Sequence, residues 1–402
     1  MKSLITESKL WTREFLLIII SNLLTYMNFM MITPVLPAYA VEAFGDNKVV
    51  VGLVTSLFAI SAIIARMFAG VTLDFFGRRK MLTIGILIFT LSTAGYYAAG
   101  GIVLFLLFRM VYGFGFGITG TAYGTMAADV IPPKRIGEGM GYYGLSSSIS
   151  LSIAPVIGIW LMSEYGFGVL ILVSVLLAVF VFPTLFMINI PPKVKTTKIC
   201  RGGWFEKTAV LPCTLNVFFS ITYGVLIGFI SLFGKEVGIH NVGLFFLVFS
   251  TMVILVRPLS GKLYDRKGHI AVLPFGAILV AFGLVCLSYS QGIVLLSISG
   301  LLYGAGFGMI QPALQAWTVQ RVEAERRGIA TAFFYNSLDF GLAIGSFVLG
   351  FVASLSSYAF MYRISALSMA VFLIIYITVG LVGKVKKEKT QVIEVIIETS
   401  SK

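Results

Sequence analysis

Charged residues are scarce in this sequence. Only 12% of its 402 residues are Asp, Glu, Lys or Arg, whereas 58% are hydrophobic, and the mean hydropathy is +0.97. A typical soluble domain carries about 25% charged residues. Because there are too few charges to cover a surface that faces water, the composition excludes a soluble enzyme and predicts that lipid covers much of the molecule.

Cysteine and histidine are also scarce. The three cysteines, Cys200, Cys213 and Cys286, have no spacing typical of a disulfide or a metal site, and the two histidines, His240 and His269, both fall in loops. The Gly-x-Gly runs lie inside apolar segments and lack the lysine of a nucleotide-binding loop. We therefore expect no metal, no cofactor and no enzymatic activity.

Long apolar segments are abundant. A helix needs about 20 apolar residues to cross the hydrocarbon core of a bilayer. Twelve segments qualify, approximately at 14–39, 50–73, 81–99, 102–128, 138–163, 167–190, 208–234, 242–263, 270–290, 292–317, 328–354 and 358–382. The sequence predicts an all-α polytopic membrane protein with twelve transmembrane helices.

The net charge of +13 is distributed as in a membrane protein. If the N-terminus is cytoplasmic, the Lys and Arg residues fall on the cytoplasmic side or at cytoplasmic helix ends, apart from Lys48, Lys235, Arg109 and Arg363. This bias orients membrane proteins. It predicts a multi-pass protein of the cell membrane with both termini in the cytoplasm, and it argues against a nucleic-acid partner.

The two halves of the chain match at an offset of 191 residues. Arg66 then falls on Arg257, and Gly70, Asp74 and Gly77 fall on Gly261, Asp265 and Gly268; Tyr112-Gly113 falls on Tyr303-Gly304. One offset held through several helices and loops indicates an internal repeat. We expect an N-terminal six-helix half at 1–190, a central cytoplasmic loop at 191–207, a C-terminal six-helix half at 208–383 and a cytoplasmic tail at 384–402. Parallel halves of this kind place a substrate site at their interface.

Two loops carry a recognisable motif. The loops GVTLDFFGRRK (Gly70–Lys80) and GKLYDRKGH (Gly261–His269) resemble the loop G-x-x-x-D-(R/K)-x-G-(R/K)-(R/K) of the major facilitator superfamily, in both halves where that family has it. The resemblance implies cytoplasmic gates in which the loop carboxylates accept from basic residues, as ion pairs, or from a helix N-terminus, with Arg326 as a further candidate partner. The predicted gating residues are Gly70, Asp74, Gly77, Arg78, Asp129, Arg135, Gly261, Asp265, Arg266 and Gly268.

Two further stretches resemble the twelve-helix drug:proton antiporter branch of that superfamily. The fourth span carries Arg109, Tyr112, Gly113 and Gly115, similar to the branch pattern R-x-x-(Q)-G-x-G. The fifth span keeps Gly141, Pro155 and Gly158 of the branch pattern G-x8-G-x3-G-P-x2-G-G, but carries Ser150, Ala154 and Ile159 at other positions. The resemblance implies proton-coupled export, and it gives Arg109 a role in the proton relay or the cavity.

Two charges lie deep in predicted spans. Asp339 lies about 16 Å from the cytoplasmic end of span eleven, and Arg109 about 10 Å from the outer end of span four, at about 1.5 Å per residue. Such charges are costly and usually face a cavity. We predict that Asp339 carries the coupling proton and that Arg109 assists it. An interhelical clamp by Asp339, a structural role for Arg109 and a direct pair between them all stay open.

Polar and aromatic residues recur at helical spacing along several spans. They predict a cavity suited to an amphipathic organic solute, formed by Asn22, Tyr26, Asn216, Tyr223, Gln311, Gln315, Tyr335 and Asn336. Interhelical packing is the alternative for each of them.

The predicted function is secondary active transport by alternating access, with proton-coupled export of a small amphipathic compound. One alternative is a facilitator or proton symporter that imports a sugar or an organic acid, and another is a membrane sensor or scaffold that transports nothing. The expected partners are the small-molecule substrate, protons and the lipid bilayer, and we expect the protein to function as a monomer.

Overall fold

The fold is seen in a computed structural model that describes residues 9–44, 48–188, 206–239 and 242–400. At positions 38, 41, 48–52, 55, 74 and 380–400 the description covers the backbone alone. The predicted central loop therefore lies largely outside the described residues, and so does the side chain of Asp74.

The described residues form helices and no strand. In the first half these are α1 (Arg13–Ile32), α2 (Leu36–Phe44), α3 (Lys48–Phe76), α4 (Arg78–Gly95), α5 (Ile102–Val130), α6 (Ile136–Val179) and α7 (Val181–Met187). In the second half they are α8 (Val210–Glu236), α9 (Gly243–Lys267), α10 (His269–Ser288), α11 (Ile293–Gln320), α12 (Arg327–Ile344), α13 (Gly350–Leu355) and α14 (Tyr358–Ser400).

Within the described residues, 11 helical stretches are long and apolar enough to cross a membrane, and one of them contains two crossings. That stretch is α6, in which Gly166 has φ 79°, a conformation that favours glycine and interrupts the helix. On one side of Gly166, Ser146 contacts Asn22 and Gly158 packs on Met31 of α1.

On the other side of Gly166 the chain runs back along the same helix. The carbonyl of Ser174 accepts a hydrogen bond from Asn28 at 2.6 Å, and the hydroxyls of Thr184 and Ser21 lie 2.5 Å apart. The contact points on α1 thus move toward its C-terminal end before Gly166 and back toward its N-terminal end after it. The predicted twelve spans are confirmed, and large apolar side chains such as Phe275 and Phe282 are exposed on the outer faces that lipid would cover.

The most extensive contacts between the two halves involve four helices. α3 packs on α12, and its repeat partner α9 packs on α6. We call the end of the bundle that carries the basic loops at 76–80, 131–135, 266–269 and 321–327 the basic end. The printed sequence places most of the arginine and lysine of the described loops there, and the hydrogen bonds between the halves described below run from this end to the centre of the bundle.

Glycine permits the closest approach of the halves at the basic end. A Cβ at Gly261 would lie 2.5 Å from the carbonyl oxygen of Gly137, and a Cβ at Gly70 would lie 2.9 Å from the Cβ of Ala332. Gly268, which ends α9, has φ 73°. The glycines shared by the two loop motifs therefore allow close interhelical packing and a tight turn.

Replacing Gly261 by alanine should weaken this packing, because the new Cβ would press on the backbone of α6. Overpacking costs typically about 1–3 kcal/mol. We expect a lower melting temperature for Gly261→Ala in detergent. Gly292→Ala is the matched control, because a Cβ there meets nothing within 4 Å. Equal melting temperatures for the two variants would contradict the close contact.

Candidate functional site: a polar cavity between two interface arginines

An ion pair joins the halves near the middle of the bundle. Arg66 of α3 donates a hydrogen bond from Nη1 to Oδ2 of Asp339 on α12. The Arg66 side chain is 6% exposed and that of Asp339 is 25% exposed. The carboxylate of Asp339 is thus partly exposed, while its arginine is enclosed. The pair ties α3 to α12 for as long as Asp339 is charged.

Arg257 holds the corresponding position in the second half. It is 2% exposed and lies on α9. Its Nη1 donates to the carbonyl of Gly144 on α6, and its Nη2 donates to Oε1 of Gln311 on α11. Both acceptors are neutral, and the buried Nε has no hydrogen-bond partner among the described residues.

A small polar cavity lies beside these groups, between the halves. Its volume is about 20 Å³, which is room for roughly one water molecule. Residues of α1, α6, α9, α11 and α12 line it: Asn22, Tyr26, Met140, Tyr143, Gly144, Ser147, Arg257, Gln311, Pro312, Gln315 and Tyr335. In this conformation the site is occluded, so an organic solute requires the halves to part.

Hydrogen bonds connect the cavity walls across the two halves. The hydroxyl of Tyr143 lies 3.4 Å from that of Tyr335, and Gln315 donates to the hydroxyl of Tyr335 at 3.1 Å. The guanidinium of Arg66 lies 5.5 Å from the centre of the Tyr335 ring. Tyr335 therefore links the Arg66–Asp339 pair to the cavity.

The structure brings together five of the eight predicted cavity residues, namely Asn22, Tyr26, Gln311, Gln315 and Tyr335. Asn216 instead donates to the carbonyl of Phe334 at 3.1 Å and to Ser337 at 2.9 Å, which fixes α8 to α12. Tyr223 packs on Phe307, with ring centres 4.8 Å apart.

Asn336 faces a second cavity, of about 370 Å³, between α3, α8 and α12. The walls of this cavity are mainly apolar, with Ile63, Met67 and Phe340 among them. The Asn336 amide donates to the carbonyl of Ile63 at 3.4 Å. Asn336 thus contributes to the contact between the halves rather than to the central cavity.

Arg109 lies apart from Asp339, within the first half. Its Nε donates to the carbonyl of Val54 at 2.9 Å, and its guanidinium lies 4.5 Å from the ring centre of Phe58. Counting residues along the helices places Arg109 and Asp339 at similar depths, but Arg109 turns toward α3 in its own half. The partner of Asp339 is Arg66, and the structure does not form the Arg109–Asp339 pair that the sequence left open.

At the basic end, Asp129 bridges the halves. Its carboxylate accepts from Nε of Arg78 at 3.1 Å and from Nη1 of Arg327 at 3.2 Å. Arg78 also donates to the carbonyl of Ala324 at 3.2 Å. The basic residue of the first loop motif thus contacts both its own half and the start of the eleventh span.

Asp265 of the second loop motif fastens α9 to the start of α6. Its two carboxylate oxygens accept hydrogen bonds from the backbone N–H groups of Gly137 at 2.7 Å and Glu138 at 2.8 Å. The first N–H groups of a helix have no partner within the helix, and the positive end of the helix dipole favours an anion there. The closure at Asp265 is therefore a carboxylate on a helix N-terminus, which is one of the two kinds of partner that the sequence allowed, and not an ion pair with an arginine.

The remaining predicted gate arginines have other positions. Arg135 pairs with Glu138 at 2.7 Å, within its own half, and not with Asp129. Arg326 pairs with Glu206 at 3.0 Å, at the end of the central loop. Arg266 is exposed at the end of α9. The prediction for Asp74 concerns a side chain outside the described residues.

The fifth span packs closely at two of the three residues that resemble the antiporter pattern. A Cβ at Gly158 would lie 2.2 Å from the carbonyl oxygen of Met31, and one at Gly141 would lie 2.7 Å from that of Arg257. Pro155 lies inside α6 between them. These residues bring α6 against α1 in its own half and against α9 in the other half.

Comparison with known proteins decides the family. The sequence model of the Major Facilitator Superfamily matches residues 18–234 and 212–396. The chain belongs to this superfamily. It is a membrane transporter, and the resemblance of its loop motifs to that family is confirmed; membership of the drug:proton antiporter branch stays a prediction.

Three relatives match this transporter over most of its length. An uncharacterised MFS-type transporter of Methanocaldococcus jannaschii is 24% identical over 90% of this chain and 96% of its own. The cis,cis-muconate transport protein of Acinetobacter baylyi is 24% identical over 86% of this chain and 89% of its own. The staphylopine export protein of Staphylococcus aureus is 22% identical over 82% of this chain and 87% of its own.

Solved structures show the same fold. The human organic anion transporter MFSD10 superposes with a TM-score of 0.75 at 16% identity, over 90% of this chain and 98% of that one. The transporter FucP in its outward conformation superposes with a TM-score of 0.73 at 15% identity, over 90% of this chain and 97% of that one.

Sequence reasoning missed the two interface arginines of this transporter as site residues. Arg66 and Arg257 coincide in the repeat, but each lies within about three turns of a basic loop, so they were assigned to the helix ends with the other arginines. Their coincidence inside two otherwise apolar helices was the signal that could have identified them. Tyr143 and Ser147 also line the cavity. Their spacing with Gly144 identifies them as site residues only once α6 is known to face α9.

Asp265→Asn should loosen the basic end, because the amide keeps one acceptor but loses the charge that the helix N-terminus favours. The readout is a Ser147→Cys reporter in a variant without the native cysteines, labelled by a membrane-impermeant maleimide from either side. We expect faster labelling from the basic end in Asp265→Asn. The control is Glu236→Gln, which removes a carboxylate that accepts a hydrogen bond from the N–H of Tyr358 at 3.3 Å within the second half. Equal labelling rates in the two variants would show that Asp265 does not hold the halves together.

Proposed function

We propose that this transporter exports a small amphipathic organic compound in exchange for protons, by alternating access, in the cell membrane with both termini in the cytoplasm. The Arg66–Asp339 pair carries this proposal. The pair joins the two halves. Asp339 is its acidic member, and Arg66 keeps its charge at any physiological pH.

Protonation of Asp339 changes the energy of closure. An uncompensated charge near the centre of a span costs at least about 2.5–3.5 kcal/mol, so a charged Asp339 favours the state in which Arg66 is its partner. A neutral Asp339 favours this state less strongly. A proton shifts a conformational equilibrium only through its different affinity for the two states, and the interhalf pair supplies that difference.

The transport cycle follows from this coupling. A proton from outside neutralises Asp339 and releases α3 from α12, so that the basic end opens toward the cytoplasm. The compound then enters from the cytoplasm, Asp339 loses its proton there, and the Arg66–Asp339 pair closes the basic end again. One proton enters for each solute that leaves, and Arg66 takes the role in this cycle that the sequence had given to Arg109.

Export is supported by the antiporter-like residues Gly141, Pro155 and Gly158, and by a relative that is an export protein. A proton symporter that imports an organic acid or a sugar is the second candidate. It is favoured by Ser150 and Ala154, which replace glycines of the antiporter pattern. The Arg66–Asp339 pair couples protons to either direction, and the sign of transport in sealed vesicles distinguishes them.

Asp339→Asn should uncouple transport from the pH gradient. A substrate is first identified by screening for compounds that release protons from the detergent-solubilised protein. In proteoliposomes, the variant should still bind and exchange this compound, because the cavity is intact, but should lose accumulation driven by an imposed pH gradient. Glu164→Gln, which neutralises an exposed carboxylate of α6, should behave as the wild type. Gradient-driven transport by Asp339→Asn at the wild-type rate would leave this residue only a structural clamp.

A further inference from the structure

We infer that the transported compound carries a carboxylate, and that this carboxylate binds Arg257 in the central cavity. The inference rests on the proposed transport function for the role of the cavity. The preference for a negative charge, however, concerns binding alone, and it holds for export and import equally.

The contacts of Arg257 are incomplete for a buried cation. The side chain is 2% exposed, its two hydrogen-bonded acceptors are the neutral oxygens of Gly144 and Gln311, and its Nε has no partner in the part of the chain that the structure describes. No Asp or Glu among the described side chains forms an ion pair with it. A buried charge without an opposite charge is strongly unfavourable, so a ligand that supplies one gains energy here.

The internal repeat identifies what Arg257 lacks. Arg66 and Arg257 are equivalent at the offset of 191 residues, and at the same offset Asp339 corresponds to Ser148. The same register holds in space, because Gly70 packs against Gly328 as Gly261 packs against Gly137. One arginine thus has a carboxylate from the facing helix, and the other has a serine.

The charges around the cavity are therefore unbalanced. Among the described groups at this level there are two guanidiniums and one carboxylate, and the other polar side chains are hydroxyls and amides. A ligand carboxylate would give Arg257 what Asp339 gives Arg66. Arginine suits this role, since its planar fork can bind a carboxylate through two parallel hydrogen bonds.

The surroundings of Arg257 also indicate what the rest of the ligand is like. The guanidinium lies 6.0 Å from the ring centre of Phe307, which packs against Tyr223. Tyr26, which lines the cavity, packs against Phe116 with ring centres 5.4 Å apart. Aromatic walls beside one cation suit a carboxylate with an apolar or aromatic body.

The first test measures binding by the purified wild-type protein in detergent, without any gradient. The probes are phenylacetate and cinnamate, each compared at millimolar concentration with its neutral amide, and phenethylamine as a cation. We expect the carboxylates to raise the melting temperature and the amides and the amine to have little effect. Arg257→Gln should weaken carboxylate binding by about tenfold or more, as expected for a lost charge-assisted contact.

The second test stays informative if Arg257→Gln fails to fold. Ser148 is buried one helical turn beyond Gly144, on the same face of α6. Ser148→Asp should place a carboxylate near Arg257, raise the melting temperature and weaken binding of the carboxylate probes by about tenfold or more. Ser148→Asn has the same shape without the charge and should reproduce neither effect.

Three results would overturn the inference: no carboxylate binds better than its amide, the cation binds best, or Ser148→Asp leaves carboxylate binding unchanged. These outcomes are independent of the proton-coupling experiment. Loss of coupling in Asp339→Asn together with no preference for carboxylates would leave the proposed function intact and reject the anionic substrate. A carboxylate preference with unchanged coupling in Asp339→Asn would do the reverse.

Discussion

The interaction on which the rest of the structure depends is the ion pair of Arg66 and Asp339. Each residue lies in a different half, and each would be costly alone in the middle of a membrane protein. Pairing relieves both charges only when α3 and α12 are in contact. The energy of closing the basic end is thereby connected to a group that a proton can neutralise. The helix contacts, the glycines and the loops serve to bring these two side chains together.

At the basic end, carboxylates again join the two halves, but through weaker contacts. Asp129 accepts from Arg78 and Arg327, and Asp265 occupies the N-terminus of α6. These contacts lie near the ends of the helices, where solvent and salt weaken electrostatic interactions. The pseudo-symmetry of the halves is close in glycine positions but broken in charge, since the repeat places Ser148 where the partner of Arg66 is Asp339. In the inferred binding mode, this difference leaves Arg257 to pair with the carboxylate of a substrate.

Much of the fold could be predicted from the sequence, because the length and apolarity of a span are local properties. The span boundaries near 163 and 167 anticipated the reversal at Gly166, and the offset of 191 residues anticipated that α9 and α12 repeat α3 and α6. The contacts of α3 with α12 and of α9 with α6 were not predicted. The cavity was harder. Residue counting gives the depth of Arg109, but the direction in which a side chain points depends on which helices surround it. Arg66 and Arg257 were missed for the same reason, since distance from a basic loop does not show that a residue faces the other half.

The central claim is that the charge of Asp339 holds the basic end closed, and its most direct test is a distance measured against pH. Spin labels at Lys80 and Glu325, which are exposed on opposite halves at the basic end, report the separation of the start of α4 from the turn before α12 by double electron–electron resonance. In the wild type, the population with a long distance should grow as the pH falls, because protonation removes the pair. In Asp339→Asn the long distance should dominate at every pH. A pH response in Asp339→Asn equal to that of the wild type would contradict the account.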